Sequence, residues 1–192
     1  YYRSVSEELM HRTVGDFILD LAYNSIEAGA RLLEVELLRS EDEIRVRIKD
    51  NGSGMDKDLL ERIKDPYFTD GKKHPGRRVG LGIPFLIQTV EQCEGSYAIE
   101  SEPGKGTSLS FSFPAGHIDT PPVGDIAGTF SDLLVKPGEF EAVLEHRRTD
   151  GERDRSYRVQ RSELINVLGE IESVSSQRLV RQFLASHEEE IE

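Results

Sequence analysis

Asp50-Asn51-Gly52-Ser53-Gly54-Met55 is the stretch on which the reading of this chain turns. Before it, Ile44, Val46 and Ile48 alternate with Arg45, Arg47 and Lys49, the period of a half-buried strand. A carboxylate at the end of that strand, followed by glycines leading into a helix, makes a floor for a flat polar ligand. An ionised Asp only accepts hydrogen bonds, so it suits a ligand that offers an amino group, such as adenine. Gly52 and Gly54 are expected to let the main chain approach that ligand with no Cβ in between. The plain alternative is a turn, which glycines mark equally well.

Upstream, a helix is expected from about Val14 to Glu27. Phe17, Ile18, Leu21, Ala22 and Ile26 supply its apolar stripe, and Gly29 ends it. Asp20, Asn24 and Glu27 fall at i, i+4 and i+7 and line one polar edge. Asn24 offers a neutral oxygen suited to a hard cation such as Mg2+, and Asp20 could take a proton from water. A solvated helix face would present the same residues.

Downstream, Gly76-Arg77-Arg78-Val79-Gly80-Leu81-Gly82 runs into a helix expected over Ile83 to Glu94, with Pro84 in its first turn. Backbone N–H groups at a helix start favour phosphate oxygens. Lys72, Lys73, Arg77 and Arg78 gather positive charge just before it. The segment is neither a Walker A loop nor a dinucleotide fingerprint, since it lacks Gly-Lys-Ser/Thr and a third glycine. Further on, Ser101-Glu102-Pro103-Gly104-Lys105-Gly106-Thr107 is a turn between strands around Tyr97 to Glu100 and Ser108 to Phe113. It reads as a hairpin, and the Thr107 hydroxyl could also bond the adenine end of a ligand.

These pieces, in this order over residues 14–114, resemble the GHKL superfamily of gyrase, heat-shock chaperone, histidine kinase and mismatch-repair ATPases. The helix with Asp20, Asn24 and Ala28 is similar to the family's N box, and Asn24-Ser25-Ile26-Glu27-Ala28-Gly29-Ala30 is nearest its mismatch-repair version. Asp50-Asn51-Gly52-Ser53-Gly54 resembles the first glycine box, whose Asp holds the adenine amino group. Asp65-Pro66-Tyr67-Phe68-Thr69 resembles the aromatic box of histidine kinases. Gly80-Leu81-Gly82 and Gly104-Lys105-Gly106-Thr107 resemble their later glycine boxes.

The resemblance implies an α/β (α+β) two-layer sandwich, with a mixed, mostly antiparallel sheet and helices on one face: the Bergerat-type ATP-binding fold. It implies ATP and Mg2+ as ligands, with Asn24 on the metal and Asp20 as the general base. Nucleotide contacts are expected from Asn24, Ala28, Asp50, Gly52, Gly54 and Met55. Gly80, Leu81, Gly82, Ile83 and Thr107 complete them. A lid is expected over about Asp65 to Val79, a loop rich in Gly, Lys, Pro and Arg. Leu33, Val35 and Leu37 alternate with Glu34 and Glu36, whose charges are expected to face Arg45 and Arg47 across a hairpin. Most members of the family that hydrolyse ATP carry Glu where this chain has Asp20. The shorter side chain puts ATPase activity in doubt while leaving ATP binding intact.

A sensor kinase also needs a helical hairpin presenting a phosphoacceptor His. Only about twenty residues precede Asn24, too few for such a hairpin, and His11 reads as a helix-entry residue. The chain is therefore expected not to be a complete sensor kinase, although a start without Met leaves an upstream domain open. His74, His117, His146 and His187 show no ligand spacing and are expected at the surface.

Two units are expected: an ATP-binding domain over residues 1–116 and an α+β extension over 117–192. Pro114, Gly116, Pro121 and Pro122 mark the connector. In the extension we expect a helix from Asp125 to Val135 and a hairpin of Phe140 to His146 with Arg155 to Val159 around Asp150-Gly151. Helices at Ser162 to Leu168 and Ser175 to Glu188 follow, Ser175 serving as N-cap. Their apolar stripes need a cover, either the first domain or another protein.

A net charge of −12 argues against a nucleic-acid partner. No apolar run is long enough to span a membrane and no signal peptide is visible. One cysteine, Cys93, allows no internal disulfide, suits a reducing cytoplasm and reads as a small core residue. The expected function is an ATP-responsive regulatory module acting on a protein partner through its lid or extension. The alternatives are a kinase passing the ATP γ-phosphate to a partner protein, or a slow ATPase.

Overall fold

The computed structural model describes residues 12–65 and 82–192. The expected lid beyond Asp65, the rest of the aromatic box, Gly80, Leu81, His11 and His74 lie outside the described residues. In chain order the elements are α1 (Val14–Glu27), β1 (Leu32–Arg39), β2 (Glu43–Asp50), α2 (Lys57–Arg62), α3 (Gly82–Gln92), β3 (Ser96–Glu102) and β4 (Gly106–Pro114). There follow α4 (Ile126–Leu134), β5 (Glu141–Asp150), β6 (Arg153–Gln160), α5 (Arg161–Leu168) and α6 (Val174–Ile191).

The six strands form one sheet in the order β3-β4-β2-β1-β5-β6. Only β1 with β5 is parallel, and the other pairs are antiparallel. Register follows from the alternation in each strand, because a slip of one residue would turn every apolar side chain outward. Ile48 stands between Val35 and Leu109, Val46 between Leu37 and Phe111, and Ile44 opposite Phe113. Leu33, Val35 and Leu37 face Ala142, Leu144 and His146 on β5, where Leu144 and His146 in turn meet Val159 and Tyr157 on β6. The apolar residues of this series share one buried core with the apolar stripes of α1, α3, α4 and α6. The architecture is therefore the α+β two-layer sandwich expected, with Phe17 of α1 meeting the rings of Phe111 and Phe113 at 6.4 and 6.5 Å.

On the outer face Glu36 pairs with Arg47, but Glu34 faces Lys49 and Arg45 sits opposite Leu38. The expected facing set, Glu34 and Glu36 with Arg45 and Arg47, is thus corrected to Arg47 and Lys49, because alternation fixes the face and not the antiparallel register. Both carboxylate–cation distances are 4.0 Å.

The segments after the connector join this sheet, with β5 adding to the edge of β1. Connector carbonyls of Pro122 and Val123 accept from the N–H groups of Val14 and Gly15, satisfying donors at the start of α1 that have no partner within the helix. Arg161 is buried and donates to the carbonyls of Leu134, Phe140 and Lys136 at 3.0, 3.0 and 3.1 Å, tying α5 to the α4–β5 loop. The cap of α6 is Ser173, which accepts from Ser176 N–H, two residues before the expected Ser175. Both serines meet the composition rule for a cap, and only the backbone path decides between them.

His146 is fully buried, contrary to the surface position expected of it. It falls on the inward series of β5, where Nδ1 donates to Glu188 Oε1 of α6 at 2.8 Å. Cys93 is a buried core residue, its thiol 3.1 Å from the carbonyl of Asp119, and burial pushes that thiol up from its ordinary range.

Candidate functional site

Asp50 continues the inward series of β2, 44-46-48-50, so its carboxylate enters the helix side of the sheet where the apolar face gives out. Three donors hold it: Ser25 Oγ on Oδ2 at 2.7 Å, and the N–H groups of Gly52 and Thr107 on Oδ1 at 2.8 and 3.3 Å. A carboxylate offers about four acceptor positions. Three are used among the described residues, which leaves one for a further donor. Asp50 is 9% exposed, so that position can be reached without the group being hydrated on all sides.

Gly52, Gly54 and Gly106 lie where other parts of the chain approach their Cα atoms closely. A Cβ on Gly52 would stand 3.1 Å from the Ala28 carbonyl, and one on Gly54 would stand 2.0 Å from that of Glu102. On Gly106 it would stand 2.0 Å from the carbonyl of Asp50 itself. Backbone fills the space beside Gly54 and Gly106, and the Asp50 carboxylate at 3.0 Å shares it with backbone at Gly52, so these glycines set the Asp50 floor by letting three loops interlock. Gly104 N–H donates to Ser53 O at 2.7 Å, and Met55 N–H to Ser101 Oγ at 2.8 Å, closing the interlock from the β3–β4 turn. Thr107 lies beside Asp50, with its hydroxyl 2.9 Å from that of Ser101.

Gly82 behaves otherwise. The nearest atoms a Cβ there would meet among the described residues are those of Asp20 and Asn24, at 3.6 to 3.9 Å, in ordinary contact. The start of α3 therefore sits beside the polar edge of α1, with Ile83 half-buried behind it. Asn24 is exposed, and its amide makes no hydrogen bond among the described residues. Asp20 receives Nη1 of Arg12 on Oδ2 at 2.7 Å. Ala28, the C-cap of α1, is exposed and passes its carbonyl to Ser53 N–H at 3.0 Å.

Two groups at this site escape the sequence reading. Ser25 falls in line with Ile18, Leu21 and Ala22 on the apolar stripe of α1, where a polar residue needs a partner; that was the available signal. Arg12 reaches Asp20 across eight residues, a spacing no helix rule anticipates.

Residues 12–117 match the family described as "Histidine kinase-, DNA gyrase B-, and HSP90-like ATPase". Sporulation kinase A of Bacillus subtilis is 32% identical over 98 residues, covering 50% of this chain and 16% of that protein. Sensor protein DegM of a Bacillus species is 33% identical over 99 residues, 50% of this chain and 26% of its own length. Sensor kinase CckA of Brucella abortus is 33% identical over 123 residues, 57% of this chain and 13% of that protein. The chain thus spans about a quarter or less of these relatives. Among solved structures, the catalytic domain of histidine kinase ThkA aligns with a TM-score of 0.39 at 24% identity, covering 50% of this chain and 62% of that one. The N-terminal domain of a DNA repair protein aligns with a TM-score of 0.47 at 14% identity, covering 75% and 51%.

Proposed function

This chain belongs to the histidine kinase-, DNA gyrase B- and HSP90-like ATPase family, and from that premise we propose that it is an ATP-responsive regulatory module acting on a protein partner. Family membership implies ATP binding. The observation that carries the reading further is the Asp50 floor. A carboxylate with three internal donors and one acceptor position left over fits the amino edge of adenine. The same carboxylate would meet the guanine carbonyl as a second acceptor, so ATP is preferred to GTP.

Asn24 would hold Mg2+, which commonly takes one or two protein ligands and fills its remaining positions with phosphate and water. Bound Mg-ATP supplies a terminal phosphoryl group for transfer or hydrolysis. Gly82 lies beside Asn24, and N–H groups at the start of α3 would favour a phosphate there. Asp20 is the base candidate, one methylene shorter than Glu and already engaged by Arg12. That engagement favours a slow catalyst and hence a switch. A second reading, transfer of the γ-phosphate to a partner protein, is favoured by the two relatives named as kinases, sporulation kinase A and sensor kinase CckA.

Asp50→Ala tests the floor. It removes the acceptor for adenine and leaves Ser25, Gly52 and Thr107 to water. ATP titration should show a loss of at least about a hundredfold in affinity in a variant that remains folded. Wild-type affinity in folded Asp50→Ala would move the adenine site elsewhere.

A further inference from the structure

Arg12 stands one residue before Thr13, the cap of α1, and its side chain lies along the helix as far as Asp20. Its guanidinium carbon is 5.7 Å from the ring centroid of Phe17 on α1 and 5.7 Å from that of Phe85 on α3. An exposed Arg–Asp pair is ordinarily worth little, because two long side chains must be held in one geometry. Here the Arg12 side chain is only 24% exposed and sits against rings from two helices, so packing as well as charge fixes it. The oxygen it takes, Oδ2, is the Asp20 oxygen that lies toward Gly82.

We propose that Arg12 is a positioning residue that restrains Asp20, locking the carboxylate into a pair that bridges α1 and α3 and so keeping hydrolysis at this site slow. The proposal rests on the assignment of Asp20 to the ATP site. In hydrolysis a water oxygen bonds to the terminal phosphorus of ATP and the water proton passes to the base. The bond from that phosphorus to the bridging oxygen breaks, and its electron pair leaves with ADP. A base must turn an oxygen toward that water at hydrogen-bond distance. In Asp20 the oxygen facing Gly82 is the one Arg12 occupies, so turning that oxygen to a water costs the hydrogen bond to Arg12. Release of Arg12 would free that oxygen and uncouple Phe85, and with it the start of α3, from the polar edge of α1.

The pair is read first in the nucleotide-free protein. Nitrogen-15 NMR should show hindered rotation of the Arg12 guanidinium, and Asp20→Asn should set it free. A freely rotating Arg12 in the wild type overturns the restraint, whatever the chain does with ATP. ATP titration of the wild type then tests the site assignment. No binding would overturn that assignment and the proposal with it, and a hindered Arg12 signal would distinguish this from a missing ion pair. With binding in place, Arg12→Gln should raise phosphate release about tenfold or more while ATP affinity stays within about threefold. The double variant Arg12→Gln, Asp20→Asn should fall to the wild-type rate or below. Arg12→Lys keeps the charge without the planar fork and should lie between wild type and Arg12→Gln, which also guards against poor folding of the glutamine variant. A tenfold loss of ATP affinity with no gain in rate would make Arg12 a phosphate ligand and overturn the restraint. A lower melting temperature with unchanged turnover would reduce Arg12 to a structural clip and overturn the restraint as well.

Discussion

Gly106 and Gly104 stand two residues apart in one turn, both with positive φ, at +102° and +75°, yet they meet different surroundings. A methyl on Gly106 would enter the carbonyl of Asp50, while one on Gly104 would meet nothing within 4 Å. Gly104→Ala should therefore cost only the backbone term, about 1–2 kcal/mol. Gly106→Ala adds a clash with main chain, which cannot rotate aside, and should cost roughly 3 kcal/mol or more. Urea denaturation of the two variants checks the difference. ATP affinity should fall only in Gly106→Ala, since only that change displaces Asp50. Equal effects on both quantities would mean that the Asp50 floor does not depend on the interlock. The same residue-level logic gives Ser25 its role: it takes one oxygen of Asp50 and leaves the other to the backbone of two loops.

Among the elements, α6 adds a polar tie to the sheet beside the apolar packing of Val180, Leu184 and Ile191. Glu188 Oε1 accepts from His146 of β5 and, in a short hydrogen bond, from the hydroxyl of Tyr157 of β6. His187 stacks on the Tyr157 ring from the same helix, and Nε2 of His146 has no hydrogen-bond partner among the described residues. Burial, the hydrogen bond and the charge of Glu188 push the Tyr157 phenol well above its ordinary value of 10.0. Above about pH 10 the unfolded chain loses that proton while the folded chain keeps it. Stability should then fall as pH rises, by about 1.4 kcal/mol per pH unit from this group, whereas below pH 10 its contribution is complete. Tyr157→Phe should cost about 1–2 kcal/mol at neutral pH, by leaving Glu188 with one donor. Its stability should also decline less steeply than that of the wild type beyond pH 10. Denaturant midpoints measured between pH 8 and about pH 11 give both quantities. Parallel curves for the two proteins would show that Tyr157 titrates as though unburied.

Across the whole molecule, what is legible in the chain is what has a period or a short-range rule. The alternation in β1 and β2, the stripe of α1 and the Asp125 start of α4 need only neighbouring residues. The position of Asp50 on the inner face follows from the same alternation. The partner of Glu34 does not, because alternation fixes a face and not a pairing. Nor does the burial of His146, which depends on Glu188, 42 residues away, closing over it. The glycines mark the right loops, but the backbone that approaches them comes from segments distant in sequence, Ala28 for Gly52 and Glu102 for Gly54. Arg12 leaves no trace at all, since its contacts follow no helical spacing.

The parallel pairing of β1 with β5 has a consequence in time. β1 ends at Arg39 and β5 begins at Glu141, so the partner of that edge is made roughly a hundred residues later. At the usual pace of synthesis this is an interval of about 5–20 s during which β1 carries a row of unpaired N–H and C=O groups. A fragment ending at residue 116 would keep that edge open permanently and would lose the Pro122 and Val123 carbonyls that cap α1. Size-exclusion chromatography of the fragment should show aggregation or strand-exchanged dimers where the 192-residue chain runs as a single species of lower mass. A well-behaved monomeric fragment would mean that β1 protects its own edge. Otherwise the strands nearest the Asp50 floor must wait for β5 to be synthesised, and the segment that carries it acts as their chaperone in cis.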